Sequence, residues 1–137
     1  MEADRYDPQQ PFNAALLADT EATRMLAATR RTDQVKAEDY AAIYVVGSKG
    51  AIFNMPRDTA LTTLLGDAYE RGVVIGAVCH GPAALADVRL RDGTPLVQGK
   101  ALTGFTNEEE AIFGKRWAKE FPWLLEDRLR ARGAHWQ

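Results

Sequence analysis

Short, continuous apolar runs alternate along this chain with longer stretches whose apolar residues recur at helical spacing. AAIYVVG (41–47) and VVIGAV (73–78) are unbroken runs rich in β-branched and aromatic residues. That pattern predicts strands buried on both faces. Between them, residues 58–71 carry Leu61, Leu64, Leu65, Ala68 and Tyr69 on one stripe, with Asp58 as a cap and Gly72 at the stop position. This is the clearest predicted helix. Residues 20–31 form another, with Ala22, Met25, Leu26 and Thr29 at helical spacing and Asp19 or Thr20 as cap. Residues 1–12, with Pro8 and Pro11, read as an irregular lead-in, and TDQVKAEDY as a connection with a short helical turn.

The second half continues the alternation. VVIGAV ends at CHGP, and AALADV follows as a helix with Pro82 in its first turn. PLVQGKALTGF (95–105) reads as two short strands or a hairpin around Gly99. Residues 107–120 are predicted helical with Asn107 as cap. Pro122 opens a last helix that Gly133 stops, before the closing AHWQ. Strands alternating with helices imply an α/β protein with a parallel sheet covered on both faces.

Composition leaves this picture intact and narrows the function classes. The 137 residues suit one domain, 1–137. A net charge of −2 offers no electrostatic footprint for nucleic acid or an anionic membrane. No apolar run approaches the length of a membrane span, and MEADRYDPQQPF lacks the basic and apolar regions of a signal peptide. One cysteine cannot form an internal disulfide, which places the expected protein in a reducing cytoplasm.

That cysteine, Cys79, falls where a buried strand turns into a helix. Such a turn pushes a side chain into the crevice at the carboxyl end of a sheet. The helix N-terminus beyond it is expected to favour thiolate over thiol. Gly76 and Gly81 relieve crowding on either side, as in the serine version of this elbow, and the His80 N–H faces the place of a developing oxyanion. A lone cysteine is most often a small buried hydrophobe; the full string A-V-C-H-G-P between strand and helix favours a nucleophile. His80 is the obvious base, the other histidine, His135, lying in the tail. One cysteine and two distant histidines do not make a zinc set.

AVCHGPAAL, PLVQGKALTGFTNEEE and FPWLLEDRLRARGA, together with AEDYAAIYVVGSKGAIFNMP, resemble the ThiJ/PfpI superfamily, whose proteins have a class I glutamine amidotransferase-like fold. The match runs over about residues 20–133 and is nearest the glyoxalase III and deglycase-like chaperone branch. The resemblance implies a flavodoxin-like three-layer sandwich with a mainly parallel sheet. It further implies a Cys–His–acid triad of Cys79, His80 and Glu110, with Glu108 as the alternative acid and a solvated first helical turn as the plain alternative for both. Gly47, Ser48, Lys49 and Gly81 would line the pocket and its oxyanion site. The implied substrate is a small carbonyl compound such as methylglyoxal, converted to lactate through a Cys79 hemithioacetal without glutathione, or an early glycation adduct. No organic cofactor or metal is implied.

Three departures from the family pattern carry expectations of their own. The family's first strand, followed by a glutamate that hydrogen-bonds the cysteine and shuttles the proton, has no counterpart; Glu2, Asp4, Asp7, Asp19 and Glu21 follow no strand-like run. The family's GGHG is GSKG here, so Lys49 replaces a pocket histidine, either to hold a thiolate or anionic ligand or to face solvent as a loop lysine. The chain stops before the family's last strand. The sheet is therefore expected to lack its first strands and its last, and exposed edges predict either a homodimer that covers them or a truncated, poorly stable product. The alternative to an enzyme is a non-catalytic remnant, a chaperone-like or redox-sensing module with a reactive Cys79. A true glutamine amidotransferase would need an H-x-E pair far downstream of the cysteine, and the sequence has none.

Overall fold

In the computed structural model, the described residues are 7–114 and 116–137, and they cluster into two compact units, one ending at Arg31 and one running from Thr32 to Gln137. The expectation for Glu2 and Asp4 lies outside the described residues. The first unit holds helices α1 (Pro11–Ala18) and α2 (Thr20–Ala27). The stretch taken as an irregular lead-in thus turns helical at Pro11, the position where a missing N–H costs nothing. Asp19 closes α1 and caps α2, accepting from the Ala22 N–H at 2.9 Å. None of the described residues of this unit is buried.

The second unit contains every buried side chain among the described residues. Its first sheet pairs β1 (Ala42–Val45) with β2 (Val74–Ala77) in parallel, with Ala42 opposite Val74 and Tyr44 opposite Gly76. Between them run α3 (Ala51–Asn54) and α4 (Thr59–Glu70). The Asp58 carboxylate caps α4 through the Leu61 N–H at 3.0 Å, and Gly72, at φ +79°, stops it. Leu65 and Ala68 of the predicted stripe reach the core, where Ile52, Val88, Val97, Leu125 and Leu129 are also fully enclosed.

The strands are not buried on both faces as their apolar runs suggested. Ile43 and Val45 turn inward, whereas Tyr44 is 64 % exposed and Val74 66 %. The Tyr44 ring lies over Gly76, where a Cβ would come within 2.8 Å of it. Gly76 therefore accommodates an aromatic neighbour rather than relieving the cysteine turn.

The expected hairpin around Gly99 does not form. The chain reverses earlier, with an antiparallel bridge between Arg89 and Pro95 closed by Leu90 N–H to Thr94 O and Leu96 N–H to Val88 O. Gly99, at φ +72°, donates its N–H to Gly133 O at 2.8 Å. The neighbouring strand β3 (Ala101–Leu102) then pairs in parallel with β4 (His135–Trp136). Its partner is thus supplied from beyond the last helix, which local periodicity does not report. Helices α5 (Asn107–Phe113) and α6 (Leu125–Ala131) fill the interval, Gly133 ending α6 at φ +88°. No helix among the described residues is long and apolar enough to cross a membrane.

Asp87 ties α6 to the segment that follows the cysteine turn. Its carboxylate accepts from Arg132 at 2.6 Å and from Arg128 at 2.9 and 3.0 Å. Partial burial opposes its charge, but the hydrogen bonds and charges of the two guanidinium groups outweigh that and hold it below the usual carboxylate range. The folded state therefore binds this proton less readily than the unfolded chain. The stabilisation is complete above the unfolded value near pH 4 and is lost as pH falls through the folded one. Asp87→Asn is expected to destabilise the protein by about 1–2 kcal/mol at neutral pH in urea titrations. The gap to wild type should narrow as the pH is lowered toward 3, and a gap unchanged by pH would remove the ion pair as its cause.

Candidate active site

The turn after β2 is built around one unusual backbone conformation. Cys79 has φ +58°, the one positive φ at a non-glycine residue among those described. Such a conformation costs on the order of 1–3 kcal/mol and persists only where its surroundings over-determine it. Here Val78 N–H donates to Val45 O, Gly81 N–H to Val78 O at 2.7 Å, and Phe105 N–H to Cys79 O at 3.0 Å. Two glycines let the elbow sit down on β1. A Cβ on Gly81 would run into Val45 O, and a Cβ on Gly47 would run into Val78 O and come within 2.8 Å of the His80 nitrogen. The turn leaves Cys79 exposed.

The expected helix beyond Cys79 is a five-residue 3-10 turn, Gly81–Leu85. Its first N–H groups are not available to the thiol. Gly81 and Ala83 donate theirs to Val78 O and His80 O, and Pro82 has none. The helix terminus foreseen for Cys79 therefore does not present free N–H groups to it, and the polar group beside the sulfur is an imidazole. The His80 N–H has no acceptor among the described residues and lies beside Gly47.

His80 is 2 % exposed, stacked on Phe105 with ring centroids 4.5 Å apart and edge-on to Phe121 at 5.6 Å. Its Nδ1 lies 3.3 Å from Cys79 Sγ, and its Nε2 lies 2.5 Å from Glu110 Oε1. Glu110 is 3 % exposed. Helix α5 aims it inward by its phase. Thr106, rather than Asn107, is the N-cap, and a reciprocal capping box joins it to Glu109. With Glu109 held at the cap and Glu108 exposed, Glu110 is the acid that faces the imidazole. A Thr-x-x-Glu signal at 106–109 was present in the sequence and identifies this cap. The arrangement can hold a proton on the ring between sulfur and carboxylate. In the tautomer that carries the proton on Nε2, the ring can donate to Glu110 and leave Nδ1 open to take a thiol proton.

Glu110 Oε1 faces the ring, while Oε2 is buried without a partner among the described residues. Glu110 also lines a cavity of about 560 Å³ with Ala111, Phe121, Trp123 and Leu124, which Cys79 does not reach.

The remaining candidates are dispersed. Ser48 is exposed and its carbonyl accepts from Ala51 N–H. Lys49 is half-buried, with Nζ 3.8 Å above the Trp117 ring rather than projecting from the loop into solvent. His135 is exposed in β4. Of the acids near the start, Asp7 accepts from the Gln9 N–H, Asp19 caps α2, and Glu21 pairs with Arg24 at 2.7 Å.

The model of the DJ-1/PfpI family matches residues 18–129. The glutathione-independent glyoxalase HSP31 of Saccharomyces cerevisiae is 34 % identical over 97 residues, which make up 70 % of this chain and 41 % of that protein. Among solved structures, the Rapid Encystment Protein of 24 kDa from Francisella tularensis superposes with a TM-score of 0.83 at 32 % identity, over 92 % of this chain and 55 % of that one. Glyoxalase III of Candida albicans superposes at 0.80 with 25 % identity, again over 92 % and 55 %. The flavodoxin-like α/β fold expected from the sequence agrees with these neighbours. The chain spans about two-fifths of the length of the curated relative and about half of the solved ones.

Proposed function

We propose, since this chain belongs to the DJ-1/PfpI family, that it carries the reaction centre of a glutathione-independent glyoxalase, with Cys79 as nucleophile, His80 as base and Glu110 as the acid that orients the base. The observation that carries the reading is the buried imidazole bridging Cys79 Sγ and Glu110 Oε1. The similarity to HSP31, a glutathione-independent glyoxalase, and to glyoxalase III of Candida albicans supports it.

The chemistry asked of these groups is short. His80 Nδ1 takes the thiol proton, and the sulfur adds to the aldehyde carbon of a 2-oxoaldehyde such as methylglyoxal. The former carbonyl oxygen takes a proton, which completes a hemithioacetal. Until then the oxygen is an anion, and the His80 N–H beside Gly47 is the donor for it. Moving the C1 proton to C2 through an enediol turns the hemithioacetal into a lactoyl thioester. Water cleaves the thioester and releases lactate and the thiol, so the net change is the addition of one water. Among the described residues His80 is the base at the sulfur, and it serves each transfer.

Purified protein is expected to form lactate from methylglyoxal without glutathione, and Glu110→Gln to lower kcat by about a hundredfold or more. Glu110→Gln turning over at the wild-type rate would remove the acid from the scheme. A second reading, a reactive thiol without turnover, draws on the exposure of Cys79 and on the absence of any carboxylate against its sulfur among the described residues. Rapid alkylation of the thiol with no lactate formed would favour it.

A further inference from the structure

The geometry points to Gly114 as a positioning residue for the Glu110 carboxylate, an inference that rests on the reading of Glu110 as the acid partner of His80. Gly114 closes α5 with φ −92° and ψ 3°, a conformation open to any residue, so its backbone does not call for glycine. What excludes a side chain is Glu110 itself. The three atoms nearest to a Cβ at position 114 all belong to that residue. Oε2 would overlap it outright, and the carbonyl oxygen and Cα would stand 2.8 and 3.0 Å away.

The same Oε2 is buried and has no hydrogen-bond partner among the described residues. Nothing else therefore anchors that half of the carboxylate. It rests in the space that the missing Cβ leaves, and the other oxygen is thereby presented to His80 Nε2 at 2.5 Å. Any side chain at 114 must push the carboxylate along its own axis or rotate it, and either motion is felt first at the imidazole. Gly114 N–H also donates to Glu110 O at 2.9 Å, which ties the two positions together through the last turn of the helix. Gly114 touches neither the sulfur nor the place of a substrate; it acts through Glu110 alone.

The test reads the Cys79 thiol directly, by its rate of alkylation with iodoacetamide across pH on the full chain, with lactate formation from methylglyoxal as a second readout. Gly114→Ala is expected to slow alkylation at neutral pH by about tenfold and to displace the rate profile to the alkaline side, the factor that one pH unit of displacement produces. Glu110→Ala should do the same. Adding Gly114→Ala to Glu110→Ala should change rate and profile far less than it does in the wild-type background, because the carboxylate that the new methyl displaces is then absent and only the 2.8 and 3.0 Å contacts to the Glu110 backbone remain. A Gly114→Ala profile that superimposes on wild type, or an equal further loss in the Glu110→Ala background, overturns the inference. Should Gly114→Ala fail to fold, a double variant that folds as Glu110→Ala does still supports it, and a double variant that also fails to fold overturns it. Wild-type protein that makes no lactate retires the glyoxalase reading alone, since the alkylation profile reports the Glu110–His80–Cys79 coupling without turnover.

Discussion

Cys79→Ser is expected to abolish lactate formation from methylglyoxal, lowering kcat/KM by at least about a thousandfold, the scale on which loss of a covalent nucleophile is felt. The substitution exchanges one γ atom and keeps the side chain small, so the imidazole 3.3 Å away retains a partner. A hydroxyl gives up its proton far less readily than a thiol and is the weaker nucleophile in this setting. Stability should stay within about 0.5 kcal/mol of wild type, because the side chain is exposed and fills no part of the core. A Cys79→Ser protein within tenfold of wild-type turnover would mean that some other group attacks the carbonyl, and the proposed reaction would fall with it.

Gly47→Ala is expected to damage activity less than loss of the nucleophile but to be far worse for the fold. The new methyl would collide with Val78 O, and it would lie 2.8 Å from the His80 nitrogen and 2.9 Å from Cys79 Cβ. Two of these are backbone atoms, with no flexible side-chain end to give way. The elbow that holds Cys79 at φ +58° would have to lift off β1. Forcing atoms into a packed site costs about 1–3 kcal/mol, and displacing a nucleophile by about an ångström costs on the order of a hundredfold in rate. Gly50→Ala, in the same loop, provides the contrast. Its nearest neighbour would be Ser48 Oγ at 3.4 Å and its φ is −61°, so melting temperature and turnover should both stay near wild type. Equal effects at the two glycines would show that loop flexibility, not contact with the elbow, sets the outcome.

Much of this was legible along the chain because it depends on neighbours in sequence. The α4 stripe with its Asp58 cap and Gly72 stop, the two strands, the helix stopped by Gly133 and the cysteine turn are local patterns, and each appears where the residues place it. Some of the misreadings were local too. Thr106 caps α5 through a Thr-x-x-Glu box, one residue before the expected Asn107, and the segment after Pro82 has too few free N–H groups to act as a helix terminus. The hairpin failed for a different reason. Ala101 and Leu102 pair with His135 and Trp136, and periodicity around Gly99 carries no information about a partner more than 30 residues away. The same holds for strand burial, since an apolar run records what its residues tolerate and not what covers each face.

The sequence by itself determined that this protein places a cysteine on a strand-to-helix turn with a histidine beside it, because both depend on chain order alone. Only the tertiary structure decided how that cysteine is served. It set Cys79 in a left-handed conformation over Gly47, put the His80 ring rather than free helix N–H groups beside the sulfur, and brought Glu110 from 30 residues away to the far nitrogen of that ring. It also ended at Phe113 the helix expected over 107–120 and gave Gly114, which that expectation ran through, a specific neighbour in the Glu110 carboxylate. Directional contacts of this kind depend on where helices and strands pack in space, and the order of residues constrains that only through the whole fold.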